Sequence, residues 1–122
     1  MPRQSRATLC RLTLIAALLL APGPQAGALE TIGFDTPGAS EDLRAALQGA
    51  SLLLTSQAEK QTDAQDLFAA ARADYGRLLG TLYAAGHYSG TIRVLIDGRE
   101  AASIPPLDAP ARIDRIDVRV DP

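Results

Sequence analysis

The feature that most constrains the fold is a change of hydrophobic rhythm at Gly86. Upstream, Leu67, Ala71, Tyr75, Leu78, Leu79 and Leu82 follow the three-and-four spacing of one helix face; downstream, Ile92, Val94 and Ile96 alternate with Thr91, Arg93 and Leu95. The first pattern predicts a helix with one apolar stripe and the second a half-buried strand. Gly86 stands where a helix is expected to end in a left-handed residue.

The remaining elements follow from the same periods. Ile32 and Phe34 share one side of a short extended segment, Thr31 to Asp35, which Thr36-Pro37-Gly38 ends. Ser40 is placed to cap a first helix, with Glu41 and Asp42 in its opening turn and Leu43, Ala46, Leu47, Ala50, Leu53 and Leu54 on its apolar face. That helix is expected to fade between Thr55 and Gln61. Thr62-x-x-Gln65 has the spacing of a capping box for the second helix, the longest element of the chain. Asp63, Asp66, Arg72, Asp74 and Arg77 are assigned to its wet side. Asp97-Gly98 signals a turn, Ala101 to Ile104 a short extended return, and Ile116, Val118 and Val120 a last one-sided strand with Ile113 out of phase. The predicted class is α+β: a two-layer β-α-α-β-β domain whose three-stranded mixed sheet carries two helices on one face.

The first residues read as a targeting segment, not as fold material. Arg3, Arg6 and Arg11 precede the run Leu12 to Ala21, apolar except for Thr13; Pro22-Gly23-Pro24 and the small-x-small Ala26-Gly27-Ala28 follow. This is the layout of a secretory signal, residues 1–28, with cleavage expected between Ala28 and Leu29 and the domain occupying 29–122. The apolar run would span only about 15 Å as a helix, short of a bilayer core of about 30 Å. Cys10, the one cysteine, lies before that run, so disulfides, thiolate catalysis and cysteine metal sites are excluded from the exported part. Export without cysteine points to a bacterial periplasm. The chain holds 12 Lys and Arg against 14 Asp and Glu; removing the three arginines of the signal leaves nine against fourteen, a net charge of −5. An acidic domain without a basic stripe is a poor match for nucleic acid or anionic lipid.

Several stretches carry a resemblance more specific than this layout. They are Pro37-Gly38-Ala39-Ser40-Glu41-Asp42-Leu43, Ala71-Arg72-Ala73-Asp74-Tyr75, Leu82-Tyr83-Ala84-Ala85-Gly86-His87-Tyr88, and Ile96-Asp97-Gly98-Arg99-Glu100-Ala101 through Ile104-Pro105-Pro106-Leu107. In these the chain resembles the first, N-terminal POTRA (polypeptide-transport-associated) domain of TamA-type outer-membrane assembly proteins, within the BamA-like superfamily. The resemblance implies a non-enzymatic periplasmic scaffold for translocation and assembly of autotransporter and β-barrel proteins. Its implied partners are unfolded outer-membrane polypeptides and an inner-membrane-anchored assembly protein, with no cofactor. Family members continue into further POTRA domains and a membrane barrel, so a chain truncated after this domain is expected. Two alternatives stay open: a POTRA module of another secretion or division system, and a small periplasmic enzyme with an unrecognised site.

Edge pairing gives the binding role a physical basis. If the last strand lies between the first and the second, Thr91, Ile92, Arg93, Val94, Leu95 and Ile96 form a border whose backbone groups an extended peptide can complete. Arg93 there is a charged guard against aggregation or a client contact. The sole histidine, His87, reads as a loop residue after a helix stop. Asp114 and Asp117 point to opposite faces of a strand and cannot share acid–base work. Gly86, Gly90 and Gly98 are isolated and make no phosphate loop. Of Tyr75, Tyr83 and Tyr88, the first two fall at helical spacing and are assigned to packing.

Overall fold

The computed structural model describes residues 31–122; the signal segment 1–28 and the cleavage position Ala28–Leu29 lie outside the described residues. The elements run β1 (Thr31–Asp35), α1 (Glu41–Ala50), α2 (Leu52–Ala58), α3 (Ala64–Ala84), β2 (Thr91–Ile96), β3 (Arg99–Glu100), a 3₁₀ turn (Ala101–Ser103) and β4 (Arg115–Asp121). The class is α+β, with a four-stranded mixed sheet in the order β1-β4-β2-β3. The last strand is interior. It runs parallel to β1, with Ile32 beside Ile116 and Phe34 beside Val118, and antiparallel to β2, with Val94 beside Val118.

This register puts the apolar alternation of three strands on one face. Ile32, Val94, Ile96, Ile116, Val118 and Val120 are buried there against Leu43, Leu47, Leu53, Leu67, Leu78 and Leu82 of the helices. Each such side chain contributes on the order of 1.5–3 kcal/mol. The other face carries Arg93, Leu95, Arg115, Asp117 and Arg119, none of them buried.

The sequence-based expectations need correction in four places. The sheet has a fourth strand, because Asp97 and Gly98 both take positive φ (47° and 83°) in a tight hairpin turn. The chain therefore returns as a strand at Arg99–Glu100, while Ala101–Ser103 is a 3₁₀ turn and not an extended return. The first helix is broken at Ser51, which ends α1 and caps α2 by accepting from the Leu54 amide. The cap of α3 is Asp63, not Thr62, and it accepts from the Asp66 amide. Finally, the buried stripe of α3 runs through Leu67, Ala71, Asp74, Leu78 and Leu82. Leu79, one residue off that stripe, is 37% exposed, and Asp74, assigned to the wet side, is fully buried.

Two terminations match their sequence signals. Ser40 Oγ accepts from the Leu43 amide at the start of α1. At the end of α3, Gly86 adopts φ 86°. The Gly86 amide donates to the Tyr83 carbonyl, and the His87 amide donates to that of Leu82 at 2.8 Å. These bonds close the last turn of the helix.

Candidate functional site

The predicted docking strand, Thr91–Ile96, is β2. Side chains and backbone groups both alternate along a strand. Thr91, Arg93 and Leu95 turn their backbone groups towards β4, leaving those of Ile92, Val94 and Ile96 to face the other way. The hairpin takes the last of these: β3 pairs Arg99 with Ile96 and Glu100 with Leu95.

Val94 is closed by side chains. Its amide donates to Glu100 Oε1 at 3.1 Å, and its carbonyl lies 3.3 Å from the Tyr75 hydroxyl. The same hydroxyl makes a very short bond to Glu100 Oε1 and accepts from the Ala102 amide at 3.2 Å. Glu100 Oε2 accepts from Arg93 Nε at 3.4 Å. The phenol has a single proton and two acceptors, and the carboxylate is both nearer and charged, so the Val94 carbonyl is the weaker partner.

Electrostatics follow from this arrangement. Burial, and then the bond to Glu100, push the Tyr75 phenol up to about 12. Burial alone would raise the Glu100 carboxyl, but the bonds from Tyr75, the Val94 amide and Arg93 outweigh it and hold the group below its ordinary value.

Thus the expectation of a free edge over the whole of Thr91–Ile96 is corrected. Leu95 and Ile96 lie beside β3, Val94 is held by Tyr75 and Glu100, and only Ile92 keeps outward backbone groups with no partner among the described residues. At the opposite side of the sheet, β1 pairs with β4, and no other described strand lies beside it.

The open face of the sheet is charged and internally neutralised. Arg115 binds Asp117 through two nitrogens (2.7 and 2.8 Å), and Arg119 binds Asp121 and, across the strands, Asp35 (3.2 Å). Hydrogen bonds from Arg115 hold the Asp117 carboxyl below its ordinary value, against a smaller upward push from burial. Gly33 makes room for that carboxylate: a Cβ at Gly33 would stand 2.5 Å from Asp117 Oδ1. The result is a shallow groove of about 400 Å³ lined by Gly33, Asp35, Arg93 and Leu95 with Arg115, Asp117 and Arg119 of β4. Arg93 faces Arg119 directly in the register and has Glu100 as its anionic partner, which fits a guard of the border.

A second cluster joins the helices. Asp74 of α3 accepts from Ser51 Oγ (2.6 Å), the Leu52 amide (2.6 Å) and the Leu53 amide (3.3 Å), covering the first amides of α2. One turn on, Arg77 Nε donates to the carbonyl of Ala50, the last residue of α1, at 2.7 Å. An acid at a helix start and a base at a helix end are the favoured signs.

The other sequence candidates are dispersed. His87 is half-buried just past α3, where its amide closes the helix. Tyr83 is exposed, not packed in the core, and its ring lies 5.5 Å from that of Tyr88. Among the described residues, no group of three or more His, Cys, Asp or Glu is placed to hold a metal ion, and no helix is long and apolar enough to cross a membrane.

A scan against protein-family models, a search of curated proteins and a search of solved structures each find no match.

Proposed function

We propose that the chain is a non-enzymatic, exported polypeptide-binding module that serves outer-membrane protein assembly in the periplasm, receiving an extended client strand at a sheet border. The reading joins the resemblance to a first POTRA domain with a mixed sheet in which the last strand, β4, lies between β1 and β2. The observation that carries it is the border of β2. On the side away from β4, no described strand lies beside Thr91 to Arg93, and beyond that the border is covered by a strand of two residues and two side chains. A client strand would supply the carbonyls and amides that complete the Ile92 backbone, and alternate client side chains would lie over the helix layer or the charged face. An inner-membrane-anchored assembly protein is the partner the same reading implies.

A titration tests it. An isotope-labelled chain, purified after export, is mixed with an unfolded peptide copied from a β-strand of an outer-membrane barrel. Amide shifts should concentrate at Thr91–Arg93. Shifts confined to the helices, or none, would overturn the reading. One observation favours a second docking border: β1 has β4 as its sole strand neighbour among the described residues, so shifts at Thr31–Asp35 would move the site across the sheet.

A further inference from the structure

We infer that Tyr75 and Glu100 form a latch, made within the chain, that withholds Val94–Ile96 from an incoming strand, and that opening it lengthens the docking border of β2. This rests on the polypeptide-binding reading above and adds its regulation.

The latch imitates what a client would bring. A docked strand offers Val94 one carbonyl to accept from its amide and one amide to donate to its carbonyl. Glu100 Oε1 already stands in for the carbonyl at 3.1 Å, and the Tyr75 hydroxyl stands in for the amide at 3.3 Å. Both substitutes arrive from outside β2. Tyr75 reaches over from α3, and Glu100 comes from the two-residue return of the hairpin.

Three observations make this contact releasable. First, β3 is held by only two residue pairs, Leu95 with Glu100 and Ile96 with Arg99. A strand that short adds little pairing of its own, and the anchors behind it, the buried Ala101 and Ile104, lie past Glu100. Second, the latch is wet at its rim: the Glu100 side chain is 29% exposed and that of Arg93 61%. Water can therefore take over the bonds of the Glu100 carboxylate as they break. Third, the Val94 carbonyl is incompletely satisfied, because the phenol proton it needs is drawn to the carboxylate. A client amide donating to that carbonyl gains a bond that the closed state makes only weakly. Arg93 is then the natural first contact. It sits on β2 itself, bonded to Glu100 at 3.4 Å, and a client carboxylate would compete for it beside the outward backbone of Ile92.

The test titrates the same barrel-strand peptide into wild type, Glu100→Ala and Tyr75→Phe. Glu100→Ala removes the acceptor on the Val94 amide; Tyr75→Phe keeps the ring and removes only the hydroxyl, so it guards against a variant that fails to fold. Both variants should bind more tightly, Glu100→Ala by roughly fivefold for one hydrogen bond transferred to the client, and their shift maps should extend from Thr91–Arg93 into Val94–Ile96. If wild type binds along β2 and neither variant binds more tightly or over a longer stretch, the latch is overturned while the binding reading stands. Tighter binding with shifts away from residues 91–96 also overturns it. If no form binds, both fall together.

Discussion

Two places in this molecule use an α3 side chain to satisfy backbone groups at the loose end of another element, and they differ in the burial of the carboxylate that accepts. At the joint between α1 and α2, Asp74 accepts from Ser51, Leu52 and Leu53 inside the protein, while Arg77 holds the Ala50 carbonyl. At the border of β2, Tyr75 and the partly exposed Glu100 serve Val94, which is itself buried. Removing a buried acceptor strands the Ser51 hydroxyl and the Leu53 amide inside the protein, so the joint is fixed. Removing a rim acceptor exchanges it for water or for another chain. A polar cluster of the same make therefore acts as a rivet in one place and a latch in the other.

The largest effect expected is at the joint. Asp74→Ala leaves two amides and a hydroxyl without their acceptor and should destabilise by about 3–5 kcal/mol. A thermal melt followed by circular dichroism should show Tm lower by roughly 12 °C or more. An unchanged melt would show the joint to be as dispensable as the border. Ser51→Ala comes next, at about 1–2 kcal/mol. It removes both the cap on the Leu54 amide and a donor to Asp74.

At the border, Glu100→Ala should alter stability by about 1 kcal/mol or less, because water replaces its bonds. Its pH signature is sharper. The folded Glu100 carboxyl lies below its ordinary value of 4.5, so its contribution is complete above that value and is lost as pH falls through the folded one. The Tyr75 phenol is raised from 10.0 to about 12, so its contribution is complete below the lower value and is lost as pH rises through the higher one. Urea melts across pH should show the alkaline loss in wild type and not in Tyr75→Phe. The smallest effect belongs to Leu79→Asp, within about 1 kcal/mol of wild type. Its side chain stands at the surface of α3.

Much of this fold is legible in the sequence, for a physical reason. The three long strands and α3 have one buried face each, and burial writes itself as a period; Gly86 and Ser40 mark ends whose chemistry is local. The two clusters that distinguish the molecule are made by distant residues. Asp74 and Ser51 are 23 positions apart, and Tyr75 and Glu100 are 25 apart. An aspartate between Ala73 and Tyr75 looks like a solvated charge until the start of α2 is placed against it, and the break at Ser51 is invisible for the same cause. The return strand did leave a local mark: Asp97-Gly98 is a strong two-residue hairpin signal, and it puts Arg99–Glu100 beside Leu95–Ile96 without tertiary knowledge. Leu79 misled because it is apolar and adjacent to Leu78, yet a step of one residue turns a helical side chain by about 100°.

Native-state amide hydrogen exchange compares the two clusters in a single experiment. The Leu52 and Leu53 amides on Asp74 should exchange only through global unfolding, whereas the Val94 amide on Glu100 should exchange through local opening, faster by roughly tenfold or more. A Val94 amide as well protected as that of Leu53 would contradict the account, since the border would then be riveted shut.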